Sequence, residues 1–308
     1  SSRKDTFSYC GLESVEIPAN ITAIKSGVFA YCTQLKSVTL PETLTELADI
    51  AFYGCTSLES ITLPDSLTSI SDSLFYRCTS LSEVNYGANM TKIGNSSFYG
   101  CTALTDITIP DTVTTIGESA FAECTGVTSL HVSDSVTSLG KWVFYNDSDL
   151  KNITIGSGMS KLDNYMFYRC TGLESIQIPD TVHDIGQFAF GGCTSLKEVI
   201  LPETLETIGK NAFVSCSVLE DITVPKNVYL IDTGAFGYDA VEDSLVKNDV
   251  ITITGYTGTA AQDFATANDI PFIALDSPTT DTTTATTEGT DTTETTETTA
   301  SGTNGPTK

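Results

Sequence analysis

Apolar and polar residues alternate along this chain on a fixed beat. Phenylalanine stands at Phe29, Phe52, Phe75, Phe98, Phe121, Phe144, Phe167, Phe190, Phe213 and Phe236, always 23 residues apart, and Phe7 precedes the series by 22. Cysteine follows three residues behind at Cys32, Cys55, Cys78, Cys101, Cys124, Cys170, Cys193 and Cys216, with Asp147 in the one vacated place. Each cysteine is followed by a pattern such as Leu104-x-x-Ile107-x-Ile109-Pro110, then by a pair such as Val113-x-x-Ile116. Ile61-Thr62-Leu63 alternates with period two, which predicts a short strand with Ile61 and Leu63 inward and Ser60 and Thr62 outward. Pro64 has no N–H to donate and ends the ladder; Asp65 suits the turn behind it. In the stretch 49–55, Asp49 is a capping residue, and Ala51 and Cys55 share a helical face. That spacing predicts one or two turns of helix.

One such coil cannot bury its own apolar strip. Stacked in register, about ten of them share a continuous core, with neighbours about 4.8 Å apart along a parallel sheet. The expectation is an α/β repeat: a solenoid of 23-residue coils with strands on one side and short helical or 3-10 segments on the other. The unit in residues 104–126, Leu-x-x-Ile-x-Ile-Pro-x-x-Val-Thr-x-Ile-Gly-x-x-Ala-Phe-x-x-Cys-x-x, resembles the BspA-type leucine-rich repeat. The resemblance runs from about Phe7 to Leu275 and includes the end, where Ile251-Thr-Ile253-Thr-Gly255 and Ile270-Pro271-Phe272 flank a helix expected at about 259–268. This is the cap that a solenoid terminus needs. Phe236 to Ile251 spans 15 residues where Phe213 to Ile222 spans nine, so 241–247 is expected as a surface insertion. The N-terminus opens mid-unit without a cap, and further repeats upstream are expected. The division is 1–275 leucine-rich repeat solenoid, with its cap from about 250, and 276–308 linker.

That linker differs in kind. Of the 30 residues from 279 to 308, 16 are Thr, with Asp and Glu between them and no aromatic or large aliphatic residue. Such a segment cannot offset its ordering entropy by burial and is expected to be a disordered, self-repelling tether. Tethers of this type join modules of bacterial secreted or surface proteins.

Charge then removes whole classes of function. Thirty-nine acidic residues against 15 Lys and Arg give a net charge of −24, which disfavours nucleic acid and anionic membranes as partners. No apolar run is long enough to span a bilayer. The two histidines, His131 and His183, fall two coils apart on different faces and suggest no dyad. No nucleophile-elbow, zinc-protease, phosphate-loop or EF-hand motif occurs. The acidic column Glu42, Asp65, Asp111, Asp134, Asp180 and Glu203 is read as turn formers, because calcium needs six or more converging oxygens. With no C-x-x-C, the cysteines are read as buried free thiols. The sequence therefore predicts no enzyme, no metal and no cofactor.

Two features are candidates for binding. The outward strand column includes Asn85, Thr108, His131, Thr154 and Gln177, a weakly charged row equally consistent with plain solvated sheet. The second lies two residues before the repeat phenylalanine. Most coils carry a small or polar residue there (Gly27, Ser73, Ser96, Ser119, Asn211, Gly234), but three consecutive coils carry Trp142, Tyr165 and Phe188, bordered by Tyr145 and Tyr168. Either these rings are exposed and meet a partner, or they fold over a locally altered core. The family resemblance implies an extracellular or cell-surface, adhesion-type module, a monomer that grips a protein ligand, extracellular matrix or host surface. The alternative is a carbohydrate-binding or assembly module of a polysaccharide-degrading complex, held by the tether.

Overall fold

The computed structural model describes residues 7–242 and 244–276; the Thr-rich segment from 277 onward lies outside the described residues. The described chain is a solenoid. Three- or four-residue strands, from Ser14–Glu16 to Asp221–Thr223, alternate with two-residue strands, from Ala23–Ile24 to Leu230–Ile231. Where either series pairs, it pairs in parallel with a shift of one repeat: Ser60 meets Glu83, and Thr115 meets Ser138. In Ser60–Thr62, Ile61 points inward between two exposed neighbours, and Leu63 beyond it is buried, as the alternation predicts.

The phenylalanines form one uninterrupted column from Phe7 to Phe236, with successive ring centroids 5.0 to 6.0 Å apart. From Phe52 to Phe190 every member is fully buried. Beside them runs the column of free thiols. From Cys32 to Cys216 each Sγ–H in it donates to a phenylalanine carbonyl of the preceding coil, as Cys55 does to Phe29 at 3.1 Å and Cys170 to Phe144 at 3.1 Å. Burial pushes the Cys55 thiol up to about 12, and those of Cys78 and Cys101 well above their ordinary value.

Opposite the sheet, the turns of α-helix expected at 49–55 are replaced by separate three-residue turns of the 3-10 type. Ala51, Tyr53 and Cys55 donate to the carbonyls three residues back, while Ile50, Phe52 and Gly54 donate across to Asp72, Leu74 and Tyr76 of the next coil. Alternate N–H groups thus close the turns and bond the stack. An α-helix would use every N–H internally, and packed helices stand about 8–10 Å apart, roughly twice the spacing that the strands impose. The spacing of Ala51 and Cys55 was compatible with a helix, but the stack was not.

From the coil of Phe29 to that of Phe213, two residues in each turn segment lie in the left-handed region. One is two places before the phenylalanine, at Gly27, Ile50, Ser73, Ser96, Ser119, Trp142, Tyr165, Phe188 and Asn211, and again at Gly234, with φ between 51° and 70°. The other is two places after it, as at Arg77, Glu123 and Arg169. At the C-terminal end, a strand at Thr252–Gly255 pairs with Asp221–Thr223, the helix Ala260–Ala267 follows, and Phe272–Ala274 closes the edge. These elements form the cap. The insertion before it is an antiparallel hairpin, Tyr238–Val241 against Ser244–Lys247.

Candidate functional site

The first left-handed position suits the glycines and the asparagine that fill it in some coils. Adopting this conformation costs a residue with a Cβ about 1–2 kcal/mol, less for asparagine. Trp142, Tyr165 and Phe188 adopt it nonetheless, at φ 61°, 60° and 53°. Their rings stack along the solenoid, Trp142 on Tyr165 at 3.8 Å and 7°, Tyr165 on Phe188 at 5.0 Å and 10°. Tyr145 and Tyr168 stand nearly at right angles beside them: Tyr145 meets Trp142 at 5.3 Å, and Tyr168 meets Phe188 at 5.8 Å. The Arg169 guanidinium lies over the Tyr168 ring at 5.6 Å, and the Gln187 amide donates to the Tyr165 hydroxyl at 3.4 Å.

All five rings are partly exposed. The core beneath them is unchanged, because Phe144, Phe167 and Phe190 keep their column and their full burial. At the row's C-terminal end, Asn211 is buried with its Oδ1 unpartnered. Leu245 of the hairpin covers Gly234 in the next coil, where an added Cβ would sit 2.9 Å from its Cδ1.

A second aromatic array lies on the turn segments of the N-terminal half. Tyr9, Tyr31, Tyr53, Tyr76 and Tyr99 follow one another ring to ring, at 4.9, 5.2, 4.6 and 4.7 Å. Tyr31 reaches Tyr53 from a different repeat position by lying over Gly54, whose missing Cβ would fall 2.8 Å from its ring. Arg77 sits over Tyr76 at 5.7 Å. Sequence periodicity did not pick out this ladder, because its members change column between Tyr31 and Tyr53.

Asn85, Thr108, His131, Thr154 and Gln177 are all exposed on the strand face. The aromatic rings stand on the turn segments instead, so the two candidate sets are not one site. Asn85 and Thr108 flank a break between the strands Glu83–Asn85 and Asp106–Thr108, where a shallow depression of about 420 Å³ opens beside Tyr86. Burial raises the Tyr86 hydroxyl above its usual range. In the acidic column, Asp65 accepts the Ala88 N–H at 2.7 Å and Asp134 accepts the Ser157 N–H at 2.7 Å. These bonds tie the turn of one coil to the next, and those from Ser157 lower the Asp134 carboxyl.

Asp147 is the one acidic side chain buried completely among the described residues. Its Oδ1 accepts the Cys124 N–H at 2.9 Å, and Oδ2 has no partner. Burial raises its pKa well above the ordinary carboxylate value at the place where the flanking coils carry a thiol. No helix among the described residues is long and apolar enough to cross a membrane.

The family model described as BspA type leucine rich repeat region matches residues 2–128 and 114–242 in six copies. Among solved structures, a leucine-rich repeat protein from Bacteroides ovatus is 27% identical, with TM-score 0.73 over 86% of this chain and 67% of that one. The T. pallidum leucine rich repeat protein is 24% identical, with TM-score 0.49 over 60% of this chain and 78% of that one. A leucine rich cell surface protein from Faecalibacterium prausnitzii is 21% identical, with TM-score 0.43 over 87% of this chain and 89% of that one. No curated protein matches the chain.

Proposed function

Because the chain belongs to the BspA-type leucine-rich repeat family, we propose that it is a non-enzymatic binding module of a secreted or cell-surface protein, a monomer that engages a protein ligand in adhesion-type contact through the edge of its solenoid. One observation carries this reading: three consecutive bulky aromatics occupy left-handed positions that most other coils give to Gly, Ser or Asn, over a core that does not need them. Trp, Tyr and Arg are the residues that dominate protein interfaces, and Trp142, Tyr145, Tyr165, Tyr168 and Arg169 supply all three types side by side.

Charge agrees with a selective contact. On a chain of net charge −24, this stretch of edge carries Lys141, Arg169 and Lys210, while the neighbouring Asp163 is held by Lys161 at 3.0 Å. The internal stacking favours a protein over a glycan as the main ligand, because most ring faces are already covered by one another and mainly edges remain to be met. The test uses an array of extracellular-matrix and cell-surface proteins, probed with the native chain and with a triple variant, Trp142→Asn, Tyr165→Ser and Phe188→Ser. Native binding that weakens at least about tenfold in the variant, the scale of one interface hot spot, supports the reading. Equal binding by both proteins, or no native binding to any protein on the array, overturns it.

A further inference from the structure

The long-strand sheet parts between Glu83–Asn85 and Asp106–Thr108. Among the described residues no backbone hydrogen bond joins these two strands. The short strands of the same two coils, Lys92–Ile93 and Thr115–Ile116, stay paired, and Phe98 stacks on Phe121 at 5.1 Å. The coils therefore open on the strand side alone. The resulting notch, the depression of about 420 Å³ beside Tyr86, reaches the core at Val84, Leu104, Ile107 and Phe121. Val84 is half-buried there, whereas Ile61 and Ile107, its equivalents in the flanking coils, are buried.

Register identifies the open backbone groups. In the paired strands on either side, the Leu63 N–H donates to the Asn85 carbonyl and the Ile109 N–H to the His131 carbonyl. By that rule the N–H and C=O of Val84 and Tyr86 face the break from one side, and those of Asp106 and Thr108 face it from the other. Strand edges of this kind are templates for an added strand. The rim is acidic: Glu83 and Asp106 line it, and no basic residue does. Asn85 donates to Glu83 at 3.0 Å and the Ser129 hydroxyl donates to Asp106, which orients both carboxylates. The depression at the break between Glu198–Ile200 and Asp221–Thr223 differs, because Lys197 supplies a cation of its own.

We propose that the notch docks an extended peptide segment of a partner protein. The segment adds as a strand along the open edges, seats an apolar side chain against Val84, Ile107 and Phe121, and sets a lysine or arginine beside Glu83 and Asp106. In such sites main-chain pairing supplies affinity, and pockets for alternate side chains supply specificity. A small apolar molecule would fill the floor and leave the edges unpaired. A free polyamine would meet the carboxylates and leave the floor bare. A strand of alternating apolar and basic residues meets edges, floor and rim together. The notch lies on the strand face, away from the rings on the turn segments, so this contact stands or falls independently of the aromatic edge.

Two measurements test it. Hydrogen exchange on the native chain reads the open edge: the Thr108 amide should be at least about tenfold less protected than that of His131, its paired equivalent one coil on. A library of capped hexapeptides is then panned against the native chain, and the peptide selected is titrated into the native chain, into the double variant Glu83→Gln, Asp106→Asn, and into the triple aromatic variant. The two amide substitutions keep the acceptors for Asn85 and Ser129, so the unfolding midpoint should hold. The expected peptide alternates apolar and basic residues, binds one to one and protects the Thr108 amide. Its affinity should fall at least about tenfold in the double variant, and as much when its own amides are N-methylated, yet stay unchanged in the triple variant. A Thr108 amide as protected as that of His131, the selection of no peptide, or binding that survives N-methylation or the double variant overturns the proposal. Binding lost in the triple variant overturns it too, by placing the peptide on the aromatic edge.

Discussion

The coils centred on Phe75, Phe98 and Phe121 and those centred on Phe144, Phe167 and Phe190 share one backbone path and one core. In both groups the phenylalanine is fully buried, and the residue two places before it is left-handed. They differ on the outside, where the first group carries Ser73, Ser96 and Ser119 and the second carries Trp142, Tyr165 and Phe188. The fold therefore runs with serine at this position. The left-handed backbone is common to both groups, so what the aromatics add is stacking worth about 0.5–1.5 kcal/mol per pair and a different surface.

If the two groups share a core, Phe98→Ala and Phe167→Ala will each cost about 3–5 kcal/mol in urea unfolding. A much smaller loss at Phe167 would show that the aromatic coils are packed differently inside. The next effect concerns Asp147, the break in the thiol column at the border between the groups. Its folded pKa lies above its unfolded value, so the native state binds more protons. The stability Asp147 contributes is complete below the unfolded carboxylate pKa and declines as pH rises toward the folded value. Asp147→Cys should therefore stabilise the chain at pH 7 by about 1–3 kcal/mol, the scale of an unsatisfied buried polar group, with the gain shrinking as the pH falls toward the unfolded carboxylate pKa and levelling off below it. A gain independent of pH would contradict a protonated carboxyl in the native state.

Smaller still is Trp142→Asn. Lost stacking and relieved strain nearly cancel, and the unfolding free energy should move by less than about 1 kcal/mol. The least effect is expected at Lys25, whose pair with Glu46 at 2.8 Å is solvent-exposed on both sides. Lys25→Ala should change stability by about 0–1 kcal/mol and become silent in high salt.

The solenoid, the buried columns and the cap were legible because burial repeats once per coil and leaves the same residue type in the same place. Phe52 and Cys55 carry that signal on their own. The turn segment was not legible as turns, since Ala51 and Cys55 fit a helical face and sequence spacing does not report which carbonyls of the next coil its N–H groups must meet. The aromatic row stood out as a departure from small residues, but its reason, a left-handed backbone, became visible only through φ. The Tyr9–Tyr99 ladder stayed hidden because stacking depends on ring reach: Tyr31 joins Tyr53 only by lying across Gly54.

The most direct measurement is the unfolding free energy of the triple variant Trp142→Asn, Tyr165→Ser, Phe188→Ser in urea. A loss of about 1–3 kcal/mol in total from the native chain is expected, the worth of the two stacked pairs removed. A loss of several kcal/mol per ring, as for aromatics removed from a core, would mean that the row holds the solenoid together and is not a surface for a partner.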